Sequence, residues 1–240
     1  MSTMPAARGV RPRQVPLFEA KAPVSPRAVD FHALSRPART FTGDFYFTHR
    51  HGERFWFAVG DVAGKGLNAA VFMAMIQEEL EQRITACASL ECDPAATVHR
   101  LHEFLRGLMP SNKFATGVVG FLHDDGSLRI ANAGHPPVLV ARKNGTVEEI
   151  GSTGPVMGLL PGGKWISRRA RLTSGDSVIL YSDGLVEGQS ASGEEFGVGR
   201  IAAAAKGADA RAIAARITSA FDAHVAHKRE DDLTLVVAKM

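Results

Sequence analysis

Five aspartates are the side chains best placed in this sequence to do chemistry. Asp44, Asp61 and Asp183 each sit at the end or edge of an apolar run and beside a glycine, in Gly43-Asp44, Gly60-Asp61 and Asp183-Gly184. Asp231-Asp232 directly precedes the last apolar run. A strand end places a side chain rigidly, and a neighbouring glycine lets the backbone pass close to an ion. Hard divalent cations such as Mg²⁺ and Mn²⁺ take oxygen ligands, usually a few carboxylates with waters completing an octahedron. Three or four aspartates converging from separate strands would suit one or two such ions. The competing reading is a turn, because Asp-Gly is first of all a turn dipeptide. Asp125-Gly126, between two plain strands, and Asp176 read that way. Spacing alone therefore supports only a candidate acidic metal site. The histidines His49, His51, His99, His102, His224 and His227 have no ligand-like company.

The elements that must hold these aspartates are legible in part. Residues 41–48 and 54–60 are aromatic and β-branched, and His51-Gly52 punctuates them as a hairpin turn. An amphipathic helix is expected from Leu67 to about Ala86, with Gly64 and Gly66 in the loop before it. Asp93-Pro94, an N-cap followed by proline at the first helical position, opens a second helix through Leu108. Strands follow at 114–123, 127–131, 137–142 and 146–150, the last pair joined by Asn144-Gly145, the strongest short hairpin signal. Two more strands, 165–172 and 177–182, precede helices at 197–206 and 209–225 and a closing strand at 233–239. Many antiparallel hairpins with helices grouped in the middle and near the end do not suit a parallel βαβ sheet. The expected fold is α+β, a four-layer αββα sandwich of two antiparallel β-sheets flanked by helix pairs.

Composition sets the outer bounds. The chain has 240 residues, 45% hydrophobic and 22% charged, enough for one sizeable globular core. Residues 1–40 carry seven Arg and Lys against two acidic residues, so the net charge of +3 leaves the rest slightly acidic. Residues 1–28, basic and rich in Pro, Ala and Arg without periodicity, read as a disordered tail, with the folded domain at 29–240. A nucleic-acid binder is disfavoured, since the positive charge lies only in the tail and no aromatic–basic interleaving accompanies it. No apolar run approaches the ~20 residues that cross a bilayer. Behind the basic N-terminus there is no apolar stretch of a secretory signal. Cys87 and Cys92, with four residues between them, fit neither a redox nor a zinc motif and make no disulfide framework. A cytoplasmic setting, with neither membrane nor nucleic acid as partner, is the expectation.

The motifs in order are RPARTFTGDFYF at 36–47, FAVGDVAGKGLNAAVFM at 57–73, FATGVVGF at 114–121 and ANAGHPPVLV at 131–140. LPGG at 160–163, LTSGDSVILYSDGLVEGQSASGEEFG at 172–197 and EDDLTLVV at 230–237 complete them. This series resembles the SpoIIE-type (RsbU-like) branch of the metal-dependent protein phosphatases, the PPM group that also holds the type 2C enzymes. The resemblance covers about residues 33–240. It implies a serine/threonine phosphatase that hydrolyses phosphoserine or phosphothreonine by metal-activated water, using two Mn²⁺ or Mg²⁺ ions. Asp61 matches the aspartate that bridges both metals, and the Val62 backbone carbonyl a further ligand. Asp183 and Asp231 match the remaining ligands of the first metal, and Asp44 a ligand of the second. Asp232 follows the last ligand and is a candidate for the shell behind it. Arg39 or Arg36 would bind the substrate phosphate, or both are solvated charges. His135 is either the proton donor to the leaving serine oxygen or a structural residue between two strands.

Two departures from the family pattern matter. Thr42 replaces a glycine and Phe47 an aspartate of the first motif, so the second metal is expected to bind weakly if position 47 faces the ions. On a strand, however, Phe47 shares the face of Phe45 rather than of Asp44. Lys65 stands where many relatives carry histidine. The implied partners are a phosphoprotein substrate, a small anti-anti-sigma-like domain of a partner-switching pathway, and an opposing kinase. The alternative is a weakly active phosphatase-like module that sequesters its phosphorylated partner.

Overall fold

The computed structural model describes residues 29–38, 40–86, 92–225 and 231–240. The expected tail at 1–28, and with it Arg39, Cys87 and His227, lies outside the described residues.

Two five-stranded antiparallel sheets stack face to face. The first runs in the order β1 (Asp30–Arg36), β10 (Leu233–Lys239), β9 (Ser177–Tyr181), β6 (Val138–Ala141), β7 (Val147–Ile150). The second runs β2 (Phe45–His51), β3 (Arg54–Val62), β4 (Ala115–His123), β5 (Ser127–Ala133), β8 (Arg168–Arg171). Alternation along the strands makes three cores. Phe55, Phe57 and Val59 of β3 meet Val178, Leu180 and Val236 of β9 and β10 between the sheets. The opposite face of β3, Trp56 and Ala58, packs beneath α1 (Leu67–Thr85) and α2 (Pro94–Arg106) through Ile76, Leu80, Val98 and Leu101. On the far side, Ile179, Leu235 and Val237 are covered by α4 (Gly197–Ala204) and α5 (Ala210–His224) through Ile201, Ile213, Ile217 and Phe221. The αββα layering is as expected.

The caps fall where composition puts them. Asp93 accepts from the Ala95 N–H at 2.8 Å, and Asp209 from the Ala212 N–H at 2.7 Å. Asp125 accepts from the Ser127 N–H at 2.7 Å, closing the β4–β5 turn. Asp176 is a turn residue with a larger duty, being buried and accepting from the Thr173 and Lys143 N–H groups at 2.9 and 2.8 Å.

Several boundaries differ from expectation. β1 was not anticipated: DFHALSR shows no alternation, because this edge strand buries only Ala33 and Leu34. The first hairpin strand starts at Phe45 rather than 41, and the strand expected at 165–172 shrinks to Arg168–Arg171. Trp165 instead leaves the ladder, packs in the helix-side core and donates to the Pro155 carbonyl at 2.8 Å. A one-turn helix, α3 (Asp183–Val186), follows β9 directly. Cys92 is disulfide-bonded, which corrects the reading of two cysteines without a bridge.

Candidate functional site

The two sheets bring their acidic ends to one mouth of the sandwich. In the second sheet Phe45 pairs with Gly60, so Asp44, just before β2, lies beside Asp61 and Val62 at the end of β3. In the first sheet Leu235 pairs with Tyr181, so Asp183, just after β9, lies beside Asp231 and Asp232, just before β10. The β3 alternation that turns Phe57 and Val59 inward also turns Asp61 inward.

Two glycines make the close approaches. A Cβ on Gly43 would lie 2.6 Å from Asp61 Oδ1 and 2.8 Å from the Val62 carbonyl oxygen. Those two oxygens therefore face one small volume, which only glycine leaves open. A Cβ on Gly184 would lie 2.0 Å from the Asp232 carbonyl oxygen and 3.4 Å from Asp231 Cβ, so α3 begins in contact with the segment leading into β10.

The electrostatics follow from crowding. Burial, and then the charges of Asp44, Asp183 and Asp231, push Asp61 up to about 8. Asp44 is pushed up to about 7, chiefly by burial; the Ser182 and Thr234 hydroxyls pull it down, and Asp232 and Asp183 push it up. Burial and Asp231 raise Asp183 as well. Asp44 Oδ2 is buried without a hydrogen-bond partner. Lys65 reaches into this field, its Nζ 3.5 Å from Asp231 Oδ2.

A divalent cation fits this donor set. It would relieve the mutual repulsion, use the orphaned Asp44 oxygen and draw on the paired Asp61 and Val62 oxygens. Among the described residues, no three His, Cys, Asp or Glu side chains form by themselves a group that could hold an ion. The fit is thus to an ion held by one or two carboxylates and a carbonyl, with waters for the remainder, which is how Mg²⁺ is usually bound.

The other candidates part company. Asp232 Oδ1 accepts from the Ala38 N–H at 2.7 Å and so ties down the segment ahead of Asp44. Arg36 is committed elsewhere, donating to both oxygens of Asp222 at 3.0 and 2.9 Å. His135 is buried, and burial lowers its pKa to about 4. Its Nδ1 bonds Thr116 Oγ1 at 2.9 Å, its backbone N–H donates to Asn132 Oδ1 at 2.8 Å, and Asn132 Nδ2 donates to its backbone carbonyl at 3.0 Å. Thr116 pairs with Asp61 across the sheet, so a neutral His135 braces the strand behind that aspartate. This geometry favours the structural alternative over the proton donor. Phe47 packs with the helix-side core, on Phe45's face, and stacks on His49 at 6.1 Å. An aspartate there would point away from the mouth, so Phe47 gives no ground for a weak second metal.

Sequence reading missed Ser182, Thr234 and Thr116 as neighbours of the aspartates. Thr116 and Thr234 are unremarkable strand residues and Ser182 directly follows β9; their role depends on strand register, which no local pattern encodes. Lys113 was missed too. Its Nζ lies 2.8 Å from where a Gly64 Cβ would stand, beside the loop carrying Lys65.

Comparison with known proteins agrees with this fold. The family model described as stage II sporulation protein E (SpoIIE) matches residues 51–240. Protein IcfG of Synechocystis is 28% identical over 200 residues, 71% of this chain and 31% of its own length. The phosphoserine phosphatase RsbU of Bacillus subtilis is 27% identical over 162 residues, 67% of this chain and 47% of its own. The chain thus spans less than half the length of these curated relatives. The solved PP2C phosphatase domain of SpoIIE from Bacillus subtilis, with a fragment of its regulatory domain, superposes with a TM-score of 0.76. It is 18% identical, and the match covers 93% of this chain and 70% of that one. The superposition shows the same two-sheet sandwich, and the family match over most of its length places this chain in the SpoIIE family.

Proposed function

We propose that the protein is a metal-dependent serine/threonine phosphoprotein phosphatase. The observation that carries this reading is the mouth of the sandwich. Asp44, Asp61, Asp183 and Asp231 crowd there enough to raise Asp61 to about 8, and Asp61 Oδ1 and the Val62 carbonyl open onto one glycine-lined gap. Asp61, with Asp183 and Asp231 from the facing sheet, would hold one Mn²⁺ or Mg²⁺ ion through direct and water-mediated contacts; Asp44, beside Asp61 in the same sheet, would hold a second, and the Val62 carbonyl would be a further ligand. Bound there, such ions supply a water of lowered pKa and offset the phosphoryl charge.

The chain's own residues do the rest. Asp232 fixes the Ala38 backbone, and the His135–Thr116 pair braces the strand of Asp61. With Arg36 engaged by Asp222, Arg39 is the remaining arginine of the 36–47 motif proposed to meet the phosphate. The substrate proposed is a small anti-anti-sigma-like domain phosphorylated by an opposing kinase in a partner-switching pathway, in keeping with the RsbU relative. No described helix is long and apolar enough to cross a membrane.

The second reading, a module that binds a phosphorylated partner with little turnover, draws on the absence of a closed ligand group among the described residues. One experiment separates the two. Hydrolysis of a phosphoserine peptide and of a generic phosphate ester is measured with Mn²⁺, with Mg²⁺ and with chelator, beside Asp61→Asn. Cation-dependent turnover lost in the variant is the expected result. Tight peptide binding without turnover under every metal condition would favour the module.

A further inference from the structure

Among the described residues, two lysines lie in or beside the loop that leads from Asp61. Lys65 follows Gly64 in the loop between β3 and α1, and its Nζ meets Asp231 Oδ2 at 3.5 Å. Both side chains of that pair are about half exposed, at 56% and 51%, and an exposed pair of this length holds weakly. A divalent cation, with twice the charge, would compete for the same carboxylate and set the ammonium free. Lys113 stands on the other side of the loop. Its Nζ lies 2.8 Å from the place of a Gly64 Cβ, and among the described residues it forms no ion pair. The two segments are tied together, since the Ala63 N–H donates to the Phe114 carbonyl at 2.9 Å.

We infer that Lys65 and Lys113 form a pair that receives the substrate's phosphate at the rim, Lys65 leaving Asp231 once a cation occupies that carboxylate. The inference rests on the phosphatase reading above. A phosphate approaching the mouth brings about two negative charges toward four carboxylates, and the described arginine of the first motif, Arg36, is bound to Asp222. A lysine acts on phosphate as a mobile point charge rather than a fixed fork. That suits a group which must first guard Asp231 and then turn outward. Lys65 in its two positions thus stands in for the cation in one state and for an anion receptor in the other.

Calorimetry on the intact chain tests this without relying on turnover. In the first titration, Mn²⁺ is added to protein free of phosphate. Lys65→Met should bind it several-fold more tightly than the unaltered chain, because the tethered competitor is gone, and Lys113→Met should match the unaltered chain. In the second, inorganic phosphate is added to Mn²⁺-loaded protein. Each methionine variant should bind it on the order of tenfold more weakly, the scale of one lost charge-assisted contact, and Lys65→Arg should keep most of the affinity. Thermal melts establish that the variants are folded. Unchanged phosphate affinity in both methionine variants would overturn the pair. Tighter Mn²⁺ binding with unchanged phosphate binding in Lys65→Met would reduce Lys65 to a counter-ion of Asp231, which also overturns it. Failure of the unaltered chain to bind Mn²⁺ at all would instead remove the phosphatase reading beneath.

Discussion

Burial and the charges of Asp44, Asp183 and Asp231 all act on the Asp61 carboxyl in the same direction, and the Val62 N–H is too little to reverse them. A neutral group at that point relieves the repulsion but removes the charge a cation would use. Asp61→Asn should therefore melt at least as high as the unaltered protein in chelator while losing turnover by ~10²-fold or more, the scale of losing a main electrostatic group. Asp125→Asn, in the β4–β5 turn, should keep near-normal turnover, and equal damage there would show that the effect is not specific to the mouth. His135 offers a second test at this scale. Its folded pKa of about 4 lies below its ordinary 6.5, so the buried neutral ring stabilises the fold above pH 6.5, and that stability is lost as pH falls through about 4. Melting temperatures of the unaltered protein and His135→Gln, compared at pH 7 and pH 4.5, should show the larger acid-induced fall in the unaltered protein. A proton-donor role would appear instead as an alkaline limb in kcat that His135→Gln abolishes.

Elements with a strong local period were legible, and those defined by cross-sheet contact were not. The Asp93-Pro94 helix start and the Asn144-Gly145 hairpin fell where their chemistry put them, because caps and turns are fixed by residues a few positions apart. β1 was invisible since its partner is β10, at the other end of the chain, and its register pairs Asp30 with Lys239. The aspartates of the site were readable from their glycine neighbours, but the hydroxyls beside Asp44 and the lysine beside Gly64 come from strands and turns remote in sequence. Two element-scale outcomes follow. Gly184→Ala would force a methyl against the Asp232 carbonyl, at 2.0 Å, so α3 and the lead into β10 must separate. It should lower both thermal stability and Mn²⁺ affinity, measured by melts and calorimetry, and an unchanged affinity would detach that contact from the site. Phe47→Asp should leave the metal titration of activity unaltered and cost about 1–3 kcal/mol of stability in a denaturant melt, because the ring packs on the helix side. A tightened metal curve would mean that position 47 faces the ions after all.

At the scale of the whole molecule, the mouth is a cost to the fold when no cation fills it. Asp44 and Asp61, pushed up to about 7 and about 8 from an ordinary 3.8, take up protons in the folded state at pH values where the unfolded chain has lost them. Their contribution to stability is therefore full below about pH 3.8 and is lost as pH rises through 7 to 8. His135 acts in the opposite sense, but only below its ordinary 6.5, so the window from pH 6.5 to 8.5 belongs to the aspartates. Protein held in chelator should lose stability across that window, by an amount of order 1–2 kcal/mol, one pKa unit being worth about 1.4 kcal/mol. A bound divalent cation keeps the carboxylates ionised at every pH in the window, so saturating Mg²⁺ or Mn²⁺ should raise the melting temperature most at pH 8.5 and flatten its pH dependence. Asp61→Asn should flatten the chelated curve as well, by removing the group with the highest pKa of the set. The measurement is a series of thermal melts at half-unit pH steps, with and without chelator, for both proteins. If the chelated protein is as stable at pH 8.5 as at pH 6.5, the carboxylates at the mouth do not repel one another as the fold requires, and the electrostatic case for a cation there fails with them.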